Sequence, residues 1–333
     1  MALSVFYTLL QLLLLLALGF WLARARGYPK LLFQGLNRFL ASVALPLYFF
    51  TSIAKTDPAD MRTGWVFPIV AVCILLVSLA VSFPLFKALP FTDEHRRAGV
   101  ALSVFGNSGY IPLGLMEIIP VTMPLIAEKF NPQTASLYIG TYLLVNSPAL
   151  WTLGNWLVAG TGERPKLSEL FPPPFIGILA GLAVVGFGLQ PPIFDKALPF
   201  FHAFKALEKV AGLTLPLVMI TLGAMISELG STERPRRELI GMAAAVSAVR
   251  FLVLPGLFVV AYLFILRPLA FTPVQCWVVF LEMTVPPATN LGIMAGRAHR
   301  NEDHVSFTLM VTYLLFLAVL PAAMYIFLSL TGW

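Results

Sequence analysis

Two short stretches hold the groups best able to grip a charged ligand: Gly106-Asn107-Ser108-Gly109-Tyr110-Ile111-Pro112 and Thr284-Val285-Pro286-Pro287-Ala288-Thr289-Asn290. Each lies inside an apolar run and carries Gly or Pro where a helix would have to continue. A half-helix that restarts after such a break presents unpaired backbone N–H groups and the positive end of its dipole. That end attracts an anion. A carboxylate there gains about 0.3 to 2 kcal/mol from the dipole, and charge-assisted hydrogen bonds add to it. Asn107, Ser108, Thr289 and Asn290 supply side-chain donors and acceptors beside those amides, and the same residue types also cap broken helices. The candidate anion-binding set is therefore Asn107, Ser108, Gly109, Tyr110, Pro112, Pro286, Pro287, Ala288, Thr289 and Asn290. Asn146, in Asn146-Ser147-Pro148, joins it as a polar residue in a further apolar run, where a kink motif explains the triplet equally well.

Two charged residues lie within apolar runs. Glu282 stands four residues before Pro286 and about seven residues into its run, which at about 1.5 Å per residue is about 10 Å of depth. An intramembrane acid costs about 2.5 to 3.5 kcal/mol on insertion scales and usually lines a proton or ion path. Glu282 is thus the candidate for cation coupling, loading a proton or holding Na+ together with unwound carbonyls and Asn107. The alternative is a neutral, hydrogen-bonded carboxyl in a packed interior. Arg250, near the middle of another run, could pair with Glu282, contact an anion, or snorkel along a tilted helix.

The elements that must position these groups are membrane helices. Of the 333 residues, 59% are hydrophobic and 11% charged, and the mean hydropathy is +0.86, which rules out an ordinary aqueous surface. Spanning helices need about 20 mostly apolar residues. Ten candidates run from Val5 to Ala23, Leu36 to Ile53, Val66 to Phe86, Val100 to Leu115, Ser136 to Ala159, Phe175 to Leu189, Val210 to Ile226, Leu239 to Ile265, Val274 to Ala295 and Val305 to Leu328. The fold expected is all-α. Positive charges follow the first apolar run instead of preceding it, which argues for a retained span and against a cleaved signal peptide. Fourteen of the 22 Lys and Arg residues fall in the odd-numbered connections. By the positive-inside rule those loops are cytoplasmic and both termini lie outside. Cys73 and Cys276 fall within apolar runs, so neither a disulfide framework nor a zinc cluster is expected. No basic stretch interleaved with aromatics suggests nucleic acid as a partner.

The hydrophilic connection from Gly160 through Arg164, Lys166 and Glu169 to Pro172-Pro173-Pro174 divides the chain near its middle. Residues 1–159 then form a first five-helix repeat, 160–174 a cytoplasmic linker, and 175–333 a second five-helix repeat. Five is odd, so homologous halves would be inverted. Ala44-Leu45-Pro46-Leu47 is echoed by Thr214-Leu215-Pro216-Leu217, and Thr141-Tyr142-Leu143-Leu144 by Thr312-Tyr313-Leu314-Leu315, at nearly equal offsets. Ala88-Leu89-Pro90-Phe91 also recurs as Ala197-Leu198-Pro199-Phe200, at an offset that fits no repeat. Gly177 and Gly181 have the spacing of close helix packing. Pro46, Pro216 and Pro255 could serve as gates or only as kinks, and kinks are the commoner outcome. Discontinuous helices at matching places of two repeats point to the midplane site of a secondary transporter.

Asn107-Ser108-Gly109-Tyr110 followed by Pro112, the second break Pro286-Pro287-Ala288-Thr289-Asn290, and the five-plus-five plan resemble the auxin efflux carrier family, over essentially the whole chain. The resemblance implies broken fourth and ninth helices that cross at mid-membrane, with a small organic anion at the crossing. Carboxylates such as malonate, malate or auxin-like acids fit that expectation. It also implies that spans three to five and eight to ten move, elevator-fashion, against a scaffold of spans one, two, six and seven, in a homodimer formed through the scaffold. The more distant bile acid sodium symporters use an acidic residue on the ninth helix as a sodium ligand, a position Glu282 resembles. Two departures stand out: the first motif reads Tyr-Ile-Pro-Leu-Gly where many relatives have glycine before the proline, and the long cytoplasmic loop of many plant exporters is missing.

Gly106-Asn107-Ser108-Gly109 also has the Gly-x-Ser-Gly form of rhomboid proteases, but His95, His202, His299 and His304 all fall in loops or at span edges, away from Ser108. A sensor on a carrier fold would share the same binding residues. No HExxH motif, Cys/His cluster or Walker A loop occurs, so no enzyme, metal or resident cofactor is expected beyond H+ or Na+ as coupling ion. His299 and His304 could in principle bind a metal, but a cytoplasmic loop surface is the expected role. The expectation is an integral inner (plasma) membrane transporter of small organic anions.

Overall fold

The computed structural model describes residues 2–122, 130–160, 170–228 and 237–332, with the side chains of 2–6, 8, 9, 12 and 117–122 outside the description. The regular elements among the described residues are helices, with no strand, and each of the ten apolar runs coincides largely with helix, interrupted around Gly106 and Pro286 and by a short turn at Gly212 and Leu213 in the seventh. In chain order these are α1 (Ala2–Arg24), α2 (Lys30–Ile53), α3 (Pro58–Ala88), α4 (Asp93–Val104), α5 (Tyr110–Thr122), α6 (Pro132–Ala149), α7 (Pro173–Gly186), α8 (Gln190–Phe194), α9 (Pro199–Ala211), α10 (Thr214–Glu228), α11 (Arg237–Leu266), α12 (Pro273–Thr284), α13 (Asn290–Ala298) and α14 (Glu302–Thr331). Five helical stretches are long and apolar enough to cross a membrane: Lys30–Ile53, Pro58–Ala88, Pro199–Ser227, Arg237–Leu266 and Glu302–Thr331. Most of the hydrophilic connection around Arg164 and Lys166 lies outside the described residues.

Local chemistry sets the helix starts. Thr92 caps α4 by accepting from His95 N, and Asn131 caps α6 by accepting from Gln133 N and Thr134 N. Thr272 and Gln275 form a reciprocal capping box ahead of Pro273 at the start of α12. Two prolines read as kinks sit directly after widened turns, Pro46 after Leu40–Ala44 and Pro255 after Val249–Val253. α6 continues through a similar turn, Leu150–Gly154, two residues beyond Pro148. Proline offers no N–H to the preceding turn, and a wider turn is one way a helix absorbs that loss.

The helices pack in four main pairs: α1 with α10, α2 with α7, α3 with α6, and α11 with α14. Lipid is as apolar as leucine, so such pairs depend on close backbone approach and polar contacts. A Cβ on Gly177 would fall on the Pro46 carbonyl of α2, and one on Gly181 would meet Ile53 Cβ at 2.8 Å. Gly19 and Gly223 play the same part between α1 and α10, each against backbone of the other helix. α3 and α6 are joined by Thr141 Oγ1 donating to the Gly64 carbonyl at 3.0 Å and by Phe67 stacked on Tyr138 with centroids 4.5 Å apart. Trp277, Phe280 and Phe327 form an aromatic cluster between α12 and α14, which Phe258 of α11 joins at 5.2 Å from Phe280. Large apolar side chains remain exposed on the outer faces, among them Ile69, Leu76, Phe83, Leu252 and Phe264.

Gly177→Val forces α7 away from α2 and lowers the melting temperature of the detergent-solubilised protein, as overpacking that typically costs about 1–3 kcal/mol would do. Gly186→Ala, whose added methyl meets only the flexible Met61 side chain at 3.4 Å, leaves it nearly unchanged.

Candidate functional site

The two interruptions meet. Gly106 and Pro287 form an antiparallel bridge, with Asn107 N donating to the Pro286 carbonyl and Ala288 N to the Phe105 carbonyl, both at 2.8 Å. The two helices end for different reasons. α12 stops because Val285, before a proline, adopts extended backbone (φ −61°, ψ 148°). α4 stops at Phe105, also extended (φ −93°, ψ 104°), and the next residue is held to glycine by space: a Cβ on Gly106 would fall on Arg250 Nη2.

Arg250 of α11 is fully buried. Its Nε donates to the Val285 carbonyl at 2.7 Å, its Nη2 to the same carbonyl, and its Nη1 to the Ser103 carbonyl at 3.4 Å. One guanidinium thus serves the C-terminal ends of both α4 and α12, where orphan carbonyls and negative dipole ends favour a cation. Tyr313 of α14 donates to the Pro287 carbonyl at 3.2 Å and accepts from Asn107 Nδ2 at 2.5 Å. Leu291 N donates to the Ala288 carbonyl at 3.1 Å. Every carbonyl from Val285 to Ala288 therefore already has a donor.

A cavity of about 160 Å³ borders the crossing. The starts of both second half-helices line it, through Asn107 to Tyr110 at α5 and Ala288 to Asn290 at α13, together with Asn146. Leu45 and Phe49 of α2, Leu143 of α6, and Phe175 and Ile178 of α7 make an apolar wall, with Trp151. A second cavity of about 20 Å³ touches Asn107, Tyr110 and Thr289 from the side of α10. Asn107 Oδ1 accepts from Tyr110 N at 3.3 Å and so caps α5, whereas Thr289 makes no capping bond. Ser108 Oγ accepts from Asn146 Nδ2 and donates to the Gly106 carbonyl, each at 3.3 Å.

Of the anion-binding candidates, Asn107, Ser108, Gly109, Tyr110, Asn146, Ala288, Thr289 and Asn290 come together on the larger cavity. Pro286 and Pro287 lie in the crossing itself, and Pro112 is inside α5; none of these three lines either cavity. Glu282 sits behind the crossing, 1% exposed, and neither carboxyl oxygen has a hydrogen-bond partner among the described residues. Arg250 makes no ion pair with Glu282; its nitrogens donate instead to the Val285 and Ser103 carbonyls. Asn107 is likewise committed to Tyr313 and Tyr110, and not to Glu282. Sequence reasoning passed over Tyr313 and Tyr142, although the pair Thr141-Tyr142 and Thr312-Tyr313 is one of the repeat matches; Tyr142 is also buried.

Gly106→Ala displaces Arg250 and leaves buried carbonyls without donors, at about 1–3 kcal/mol for each group left unsatisfied. The expected result is loss of folded protein in detergent. Gly109→Ala, whose added Cβ meets only Leu143 Cδ1 at 3.9 Å, keeps the fold. Thermal unfolding of the two variants checks the contrast.

A family model described as "Membrane transport protein" matches residues 4–172 and 161–325. An "Uncharacterized transporter" of Methanothermobacter thermautotrophicus is 25% identical over 316 residues, covering 94% of this chain and 95% of the relative. A "Putative malonate transporter" of Rhizobium meliloti is 22% identical over 326 residues, covering 95% and 93%. "Protein PIN-LIKES 1" of Arabidopsis thaliana is 23% identical over 359 residues, covering 92% of this chain and 75% of the relative. With its family match, apolar helices and paired breaks, this chain is an integral membrane protein that belongs to the membrane transport protein family, the auxin efflux carrier family.

Proposed function

We propose that the protein is a secondary active transporter of small organic anions, with ten spans arranged as two inverted five-helix repeats, 1–159 and 175–333, joined by the 160–174 linker. The pairing of helices supports the inversion. Exchanging the halves turns α1 against α10 into α7 against α2, and α3 against α6 into α11 against α14, and both members of each exchange occur. Charge placement supports cytoplasmic odd loops and outward termini in a plasma membrane.

The observation that carries the reading is the approach of two half-helix starts to one cavity. Their amides and dipoles suit an anion. The described lining includes no Lys or Arg and is otherwise largely apolar. A substrate with one carboxylate at the crossing and an apolar body against Phe49, Leu143 and Ile178 fits it best. The Rhizobium relative's name points to a dicarboxylate instead, which would have to set its two charges on the two helix starts.

Glu282 is the coupling group, and H+ suits it better than Na+. The neighbouring carbonyls already have donors, Asn107 is committed elsewhere, and the Arg250 guanidinium opposes a second cation. The cavity lies between the crossing and α2, α6 and α7, so sliding the crossing elements against α2, α7 and α10 would carry the anion across by elevator-type alternating access. The exposed faces of the scaffold helices are where a homodimer would form.

Uptake of a labelled monocarboxylate into proteoliposomes should saturate and rise with an imposed proton gradient. Absence of flux, with ligand still bound, would make the protein a sensor. Glu282→Gln retains anion binding and loses the proton dependence; proton-driven uptake unchanged in that variant removes Glu282 from coupling. In a thermal-shift series, phenylacetate stabilises the protein more than malonate at equal concentration, since stabilisation follows occupancy. The reverse order assigns one carboxylate to each helix start.

A further inference from the structure

Away from the crossing, three helices begin at one point, and each brings a metal-ligating side chain in its first turn. His95 is in the first turn of α4, Glu238 of α11 and His304 of α14. Their ligating atoms lie within 4.8 Å of one another. His304 Nε2 is 4.0 Å from Glu238 Oε2, and the two imidazoles are stacked with centroids 3.8 Å apart. His95 Nδ1 is buried with no hydrogen-bond partner among the described residues.

We infer that His95, Glu238 and His304 form a binding site for a divalent transition-metal ion of the zinc type. Two imidazoles and one carboxylate are a ligand set zinc uses, with a fourth position left for water. Imidazole ligands disfavour Mg²⁺ and Ca²⁺, which take oxygen. Tetrahedral zinc at about 2.0–2.2 Å from its ligands sets them about 3.3 Å apart, so shifts of about 1 Å at the side-chain ends, with the rings turned out of their stack, complete the geometry. Local charge permits a cation. The positive ends of three helix dipoles oppose it, but Asp93 and Glu94, Glu238, and Glu302 and Asp303 stand in those first turns. On α4, Arg96 pairs with Asp93 at 3.0 Å and Arg97 lies 5.9 Å from the Trp156 ring centroid, while Arg237 precedes Glu238 on α11.

The three helices also build the crossing from its far side. α4 is the first half of one broken span, α11 carries Arg250 and α14 carries Tyr313. A bound ion would clip together the elements that hold the crossing and would stabilise the folded state by its occupancy.

The test uses the full chain, tag removed, in detergent, stripped with EDTA and re-exposed to zinc chloride or magnesium chloride. Elemental analysis after gel filtration should find one zinc per chain, and zinc but not magnesium should raise the melting temperature. His95→Asn and His304→Asn each weaken zinc binding at least about tenfold, while His202→Asn on α9 leaves it unchanged. No retained zinc, or equal affinity in the first two variants, overturns the site. Should either variant fail to fold, zinc-edge X-ray absorption on the unmodified chain decides: two imidazoles with oxygen support the site, and a shell without imidazole overturns it.

Discussion

Everything in this molecule depends on two interrupted helices repaying each other's lost backbone bonds inside lipid. An unpaired peptide group at that depth costs several kcal/mol, so a helix breaks there only where other protein groups replace the missing partners. Phe105 to Asn107 and Pro286 to Ala288 do this reciprocally, one N–H and one carbonyl from each side. Arg250 and Tyr313 take further carbonyls. Once the carbonyls are satisfied, the backbone polarity left at the cavity is that of the two helix starts, which is positive.

That division separates the helices by role. α4, α5, α12 and α13 make the crossing, and α11 and α14 brace it with buried donors. α2, α7 and α10 wall the cavities, and glycines let α1 reach α10 and α7 reach α2 at backbone distance. The glycines packed directly on another helix's backbone therefore lie among the outer helices, while Gly106 at the crossing makes room for the Arg250 side chain. Glu282 is buried without a hydrogen-bond partner among the described residues, on the helix whose end the Arg250 guanidinium holds.

The apolar runs and both breaks were legible in the sequence, because helix length and the backbone limits of Gly and Pro are local properties. So was the burial of Glu282, which follows from its position along an apolar run. What sequence could not supply was direction. Arg250 read as a partner for Glu282 or an anion because charge is visible in sequence and aim is not; its donors point at Val285 and Ser103. Asn107 read as a ligand group, and it serves as a cap and a Tyr313 partner from 206 residues away. His304 read as loop surface, or as a metal ligand beside His299, because nothing local places it beside His95 and Glu238 on two other helices. Of these, Tyr313 alone left a trace in the sequence, since the repeat match that includes Tyr142 already marked it.

The most direct measurement is a high-resolution cryo-electron microscopy map of the protein saturated with a transported carboxylate. The carboxyl group should lie within hydrogen-bond distance of backbone N–H groups at the starts of both α5 and α13, with Gly106 and Pro287 still bridged. Ligand density anywhere else, or either interrupted segment drawn as continuous helix, would contradict the central claim that the crossing is the anion site.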